Sequence, residues 1–87
     1  MPVPPIKEAI ALLQDFSFGF DCVHRLQRAA TIILANNIKP VYVTKAIRHL
    51  TNPVEEGRSR EYAQEYINMA ITDLKRTLAQ RKLNITY

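Results

Sequence analysis

From Ala63 to Leu78 the residues Ala63, Ile67, Ala70, Ile71, Leu74 and Leu78 recur at three- and four-residue spacing, the period of a single buried helix face. Tyr62, Tyr66 and Met69 flank that stripe. The pattern predicts a helix from about Ser59 to Lys82, and at 1.5 Å per residue it spans about 36 Å. In a chain of 87 residues that length constrains everything else. The remaining segments must lie along this helix, and its end either projects or packs against a second copy. Glu61 and Glu65 come early and Lys75, Arg76, Arg81 and Lys82 late, an order that suits the helix dipole. Leu83 to Tyr87 is expected to fray.

Three shorter helices are predicted upstream. Pro2-Val3-Pro4-Pro5 is an extended lead-in, and proline suits a first helical turn because it lacks the N–H. The first helix runs from about Pro5 to Phe16, burying Ile6, Ala9, Ile10, Leu13 and Phe16. Ser17 to Asp21 breaks the period. Gly19 gives the turn its freedom, Asp21 is placed to cap the next helix, and Phe18 and Phe20 are expected to plug the core. The second helix covers about Cys22 to Asn36. Its stripe is Val23, Leu26, Ala30, Ile33 and Leu34, widened by Ala29, Ile32 and Ala35. Asn36-Asn37 stops it, since asparagine tolerates the left-handed cap conformation. The third helix, Val41 to Leu50, follows Pro40 and buries Val43, Ala46, Ile47 and Leu50. Asn52-Pro53-Val54-Glu55 has the residue types of a helix start, and Gly57 is expected to break that turn from the last helix. The expected fold is all-α: one domain over residues 1–87, a small bundle of three short helices and one long C-terminal helix.

Composition narrows the partners. Apolar residues make up 47% and charged residues 23%, ordinary values for a globular domain. By the surface scaling rule a chain this size buries about 60–65% of its unfolded surface, so the core is thin and a homodimer through the last helix would help it. The net charge is +4 and the pI is near 9.5, a balance that favours a polyanion or an acidic protein surface. The one cysteine, Cys22, cannot form an internal disulfide and points to a reducing, cytoplasmic setting with a structural thiol. No apolar run is long enough to span a membrane, and Lys7 and Glu8 interrupt the N-terminal apolar stretch where a secretory signal would need continuity.

The positive charge is not spread evenly. Between Cys22 and Val54 the chain carries Arg25, Arg28, Lys39, Lys45 and Arg48, with His24 and His49, and no acid. Inside this window the second and third helices form a helix–turn–helix pattern. In that arrangement the second helix enters the major groove, and its early residues meet base edges. The outer side of the third helix is expected to hold Tyr42, Thr44, Lys45, Arg48 and His49, with Arg25, Arg28 and Lys39 reaching phosphates. Tyr42 to Leu50 resembles the recognition helix of many bacterial repressors. Asn36-Asn37 stands where glycine is often found in such turns, and the connection is short against the usual pattern. Lys75, Arg76, Arg81 and Lys82 form a second basic cluster, beyond which no acid occurs. Tyr62 and Tyr66 are expected at the core edge or a dimer seam.

Catalytic patterns are missing. His24 and His49 have no carboxylate at ligand spacing, so neither metal ligation nor general-base work is expected of them. There is no phosphate-binding glycine loop and no strained nucleophile turn. Glu55, Glu56, Glu61 and Glu65 interleave with Arg58 and Arg60, the pattern of a charged surface rather than a catalytic pair. The sequence therefore predicts a protein that is not an enzyme and needs no cofactor. It reads as a small DNA-binding regulator; the alternative is a protein adaptor or inhibitor whose basic face docks on an acidic surface. In the adaptor Tyr42, Tyr62 and Tyr66 would be the anchors.

Overall fold

The computed structural model describes the backbone of residues 4–51 and 59–85, and the side chains of residues 4–51 and 60–81. Four helices carry the described chain: α1 (Ile6–Gln14), α2 (Cys22–Ala35), α3 (Val41–Thr51) and α4 (Ser59–Ile85). The architecture is the expected all-α bundle. Gly57 and the turn around it lie outside the described residues.

The helix ends follow from local chemistry. The extended backbone of Pro5 (φ −70°, ψ 154°) launches α1, and its carbonyl accepts the first helical bond from the Glu8 N–H at 3.0 Å. The helix ends at Gln14, two residues short of the expected Phe16 end, with Asp15 as its cap. Asp21 precedes α2 but makes no side-chain cap bond. Its φ of −108° and ψ of 23° are close to helical, whereas a capping side chain needs an extended backbone to reach forward.

The end of α2 is more exact. Asn37 has φ 63°, its N–H bonds the Leu34 carbonyl at 3.0 Å, and the Ile38 N–H bonds the Ile33 carbonyl at 3.2 Å. This pair of crossed bonds around a left-handed residue is a Schellman motif, here with asparagine in the glycine position. Half-buried Ile38 packs on the core that contains Ile33, the apolar contact that accompanies the motif. Pro40 then caps α3, its carbonyl accepting from the Thr44 N–H at 3.0 Å and the Thr44 hydroxyl at 2.6 Å.

Each helix packs on two others: α1 on α2 and α4, α3 on α2 and α4. The core is Ile6, Ala9, Ile10 and Leu13 from α1, Leu26, Ala29, Ile32 and Ile33 from α2, Val43 and Ala46 from α3, and Ala63, Ile67, Ala70 and Leu74 from α4. Alanines at the centre of every stripe let the helices approach closely. Among the described residues no polar or charged side chain is buried, and no helix is long and apolar enough to cross a membrane.

Further placements differ from the sequence reading. Leu34 is 63% exposed and Ala35 is exposed, because the buried stripe of α2 runs through Leu26, Ala29, Ile32 and Ile33 and leaves the last turn's far side in solvent. Phe20 is fully exposed, at 102%. The turn after α1 seats one aromatic only: Phe18 meets Phe16 edge-on at 5.0 Å and lies under Arg60 at 5.6 Å, and the tight closure from Cys22 back to Gly19 leaves Phe20 outside. Finally, α4 continues to Ile85 rather than stopping at Lys82.

Candidate nucleic-acid interface

α3 is anchored on its inner side by Val43 and Ala46, both buried, and by half-buried Ile47 and Leu50. Because successive helical residues turn by about 100°, that anchor sends Val41, Thr44, Lys45 and Arg48 to the opposite side, where all four are exposed. With Lys39 and Pro40 they line a shallow groove of about 330 Å³. Three cations and no acid line this groove, so its charge has one sign and its floor is aliphatic.

Tyr42 and His49, expected on the outer side, lie instead in the seam between α3 and α4. Tyr42 stacks on Tyr66 with centroids 6.4 Å apart. His49 stacks on Tyr66 at 5.5 Å and tilts against Tyr62 at 5.4 Å. Lys45 Nζ sits 5.6 Å from the Tyr66 centroid, at the distance of a cation–π contact. The two α3 residues are seven apart and share one edge of the helix. That edge meets α4, where the rings bury more surface than they could in solvent. The seam holds one edge of α3 against α4 and leaves Thr44 and Arg48 exposed away from it, with exposed Lys45 at its border. Tyr66 packs against the core, one of the two placements expected from sequence, and half-buried Tyr62 meets His49 beside it.

Arg25 and Arg28 belong to a different surface. They line a groove of about 290 Å³ with Glu8, Ala11, Leu12 and Asp15 of the α1 side. They also line an open cleft of about 540 Å³ with Phe20, Cys22 and His24. Arg25 Nε is buried there without a hydrogen-bond partner among the described residues. The five basic residues that are adjacent in sequence are thus divided between the α1–α2 corner (Arg25, Arg28) and the α3 groove (Lys39, Lys45, Arg48). Cys22 is a free, half-buried thiol.

The C-terminal cluster divides as well. Lys75 and Arg76 are exposed, whereas the Arg81 guanidinium donates to the Asn36 carbonyl at 2.7 Å. Arg81 therefore closes the end of α2 rather than offering a free cation, since an unsatisfied C-terminal carbonyl attracts a guanidinium directly. Asn36 also donates through Nδ2 to the Pro4 and Ile32 carbonyls, at 2.9 and 2.8 Å. The start of α1, the end of α2 and the end of α4 meet at this one residue. The Lys82 side chain lies outside the described residues.

Pro40 and Val41 are the groove residues that the sequence does not single out as binding residues, and Val41 is the exposed one of the two. The signal was present: with Val43, Ala46 and Leu50 inside, the helical period sets Val41 on the far face, where it is 47% exposed. Among the described residues no group of three or more His, Cys, Asp or Glu side chains gathers at metal-ligand distance. Comparison of the chain with protein-family models, with curated proteins and with solved structures yields no match.

Proposed function

We propose that this chain is a small, non-enzymatic DNA-binding regulator of the cytoplasm that presents α3 to the major groove. The observation that carries the reading is the outer face of α3: Lys45 and Arg48, with Lys39 beside them, line a groove that no acidic residue enters. The order α2, short turn, α3 also fits a helix–turn–helix pattern, with α2 ended by a Schellman motif before α3 begins. Lys39 supplies a phosphate contact, and Lys45 and Arg48 reach either phosphates or base edges.

A homodimer through α4 belongs to this reading, because two half-sites one helical turn apart need a two-fold protein. The exposed side of α4 carries Glu61 and Glu65 early and Lys75 and Arg76 late, with Met69 between them at 48% exposure. An antiparallel pairing of two copies sets acid against base along that face.

The test is a titration of fluorescent mixed-sequence duplex at about 50 and 200 mM salt, alongside a sizing run. If Lys39, Lys45 and Arg48 each neutralise a phosphate, a dimer makes six contacts, the log–log salt slope is about −5, and affinity falls about a thousandfold between the two salts. A monomer with three contacts loses about fortyfold. Binding that ignores salt, or no binding at the lower salt, refutes the reading.

A second reading, a protein adaptor, draws on the α1–α2 corner, where fully exposed Phe20 stands beside Arg25 and Arg28. Phenylalanine and arginine are enriched in interface cores. The tyrosine anchors expected from sequence are occupied in the α3–α4 seam, so in this reading Phe20 takes their place. A Phe20→Ala variant that binds DNA normally but no longer captures one defined protein separates the adaptor role from the DNA role.

A further inference from the structure

The first turn of the α3 face is apolar: Val41 occupies it and is 47% exposed. Beside it Thr44 donates its hydroxyl to the Pro40 carbonyl at 2.6 Å, so that proton is already used, and what the side chain still offers a partner is its methyl group and an acceptor oxygen. Lys39, Lys45 and Arg48 surround this pair in the same groove. An exposed apolar residue among cations in one groove is a poor match to a bare phosphate backbone, which rewards cations and donors throughout. It matches the floor of a major groove carrying a methyl group, because thymine alone of the four bases presents one there, at C5.

We infer that Val41, with Thr44, is a specificity-determining contact to the 5-methyl group of thymine, next to guanines or phosphates engaged by Lys45 and Arg48. The inference rests on the DNA-binding reading and names what α3 would read. Val41 stands at the first position of α3, the end of a recognition helix that meets base edges. Its aliphatic side chain can gain only from apolar contact.

The experiment compares two duplexes of about 20 base pairs with alternating TG/CA sequence, one with thymine and one with uracil at every T, which differ only by the C5 methyl. Wild-type protein is expected to bind the thymine duplex about fourfold more tightly for each methyl buried. Val41→Ala, an exposed change to a strong helix former, should stay folded by circular dichroism and bring the ratio close to one. Thr44→Ser, which keeps the hydroxyl and removes only the methyl, should narrow it. Equal wild-type binding to both duplexes overturns the thymine contact and leaves the DNA reading standing. A preference that survives in the Val41→Ala/Thr44→Ser double variant also overturns it. No binding to either duplex at low salt overturns the DNA reading itself, and the inference falls with it.

Discussion

Replacing Arg81 by alanine removes a bond that ties α4 to the end of α2 across 45 residues of sequence. The Nη2 to Asn36 carbonyl distance of 2.7 Å is in the charge-assisted range. Hydrogen bonds to charged groups contribute about 1.5–3 kcal/mol. Both residues are half-buried, so water can replace part of the bond, and the expected loss is about 1–2 kcal/mol. For a domain of this size each kcal/mol moves Tm by about 4–8 °C, so Arg81→Ala should melt about 5–15 °C lower. Urea denaturation followed by circular dichroism should show a lower midpoint at unchanged slope, because the surface exposed on unfolding is the same. Hydrogen exchange should show the last turns of α4 opening before the core, since that end has lost its anchor. A lysine at 81 keeps the charge but not the guanidinium geometry, and should recover part of the loss. An Arg81→Ala stability within about 0.5 kcal/mol of wild type would show that the bond holds nothing together, because surface substitutions with no structural role fall inside that range.

Other substitutions have defined outcomes. Asn37→Ala should destabilise by about 1 kcal/mol, because a Cβ without a local hydrogen-bonding group is strained at φ 63°, and Asn37→Gly should not; equal effects in urea melts would contradict the Schellman assignment. Leu26→Ala, at a fully buried position, should cost about 2–5 kcal/mol by leaving a cavity, a loss that urea denaturation measures directly. Phe20→Ser should leave stability within about 0.5 kcal/mol of wild type, since the ring is fully exposed; a larger loss on melting would mean that Phe20 packs after all.

Much of the fold is legible from periodicity and punctuation. The starts of α2 and α3 fall on Cys22 and Val41 as expected, and the Asn36-Asn37 stop is realised as a left-handed asparagine, because these features are decided by residues within one turn of each other. The division of the basic window is not legible. A helical period says which side of α2 or α3 faces the core, but not which edge meets which neighbour. Arg25 and Arg28 thus went to the α1 side, and Tyr42 and His49 turned onto Tyr62 and Tyr66. Arg81 shows the same limit from the other direction. Its position in a run of late cations reads as a solvated helix end, and only the meeting of α2 and α4 gives it the Asn36 carbonyl. Phe18 and Phe20 are two aromatics in one short turn, and which one packs depends on how the chain closes between Gly19 and Cys22.

In the proposed role one face, the outer side of α3, binds DNA, rather than the protein's positive charge as a whole. The direct test compares two double variants that remove the same charge from exposed positions: Lys45→Ala/Arg48→Ala on α3 and Lys7→Ala/Arg28→Ala on the α1–α2 side. Both should remain folded. In a titration of mixed-sequence duplex at about 50 mM salt, the α3 variant should lose most of its affinity and flatten the salt slope by about two units per protomer, while the α1–α2 variant stays near wild type. Equal losses in the two variants, or full affinity in the α3 variant, would contradict the claim.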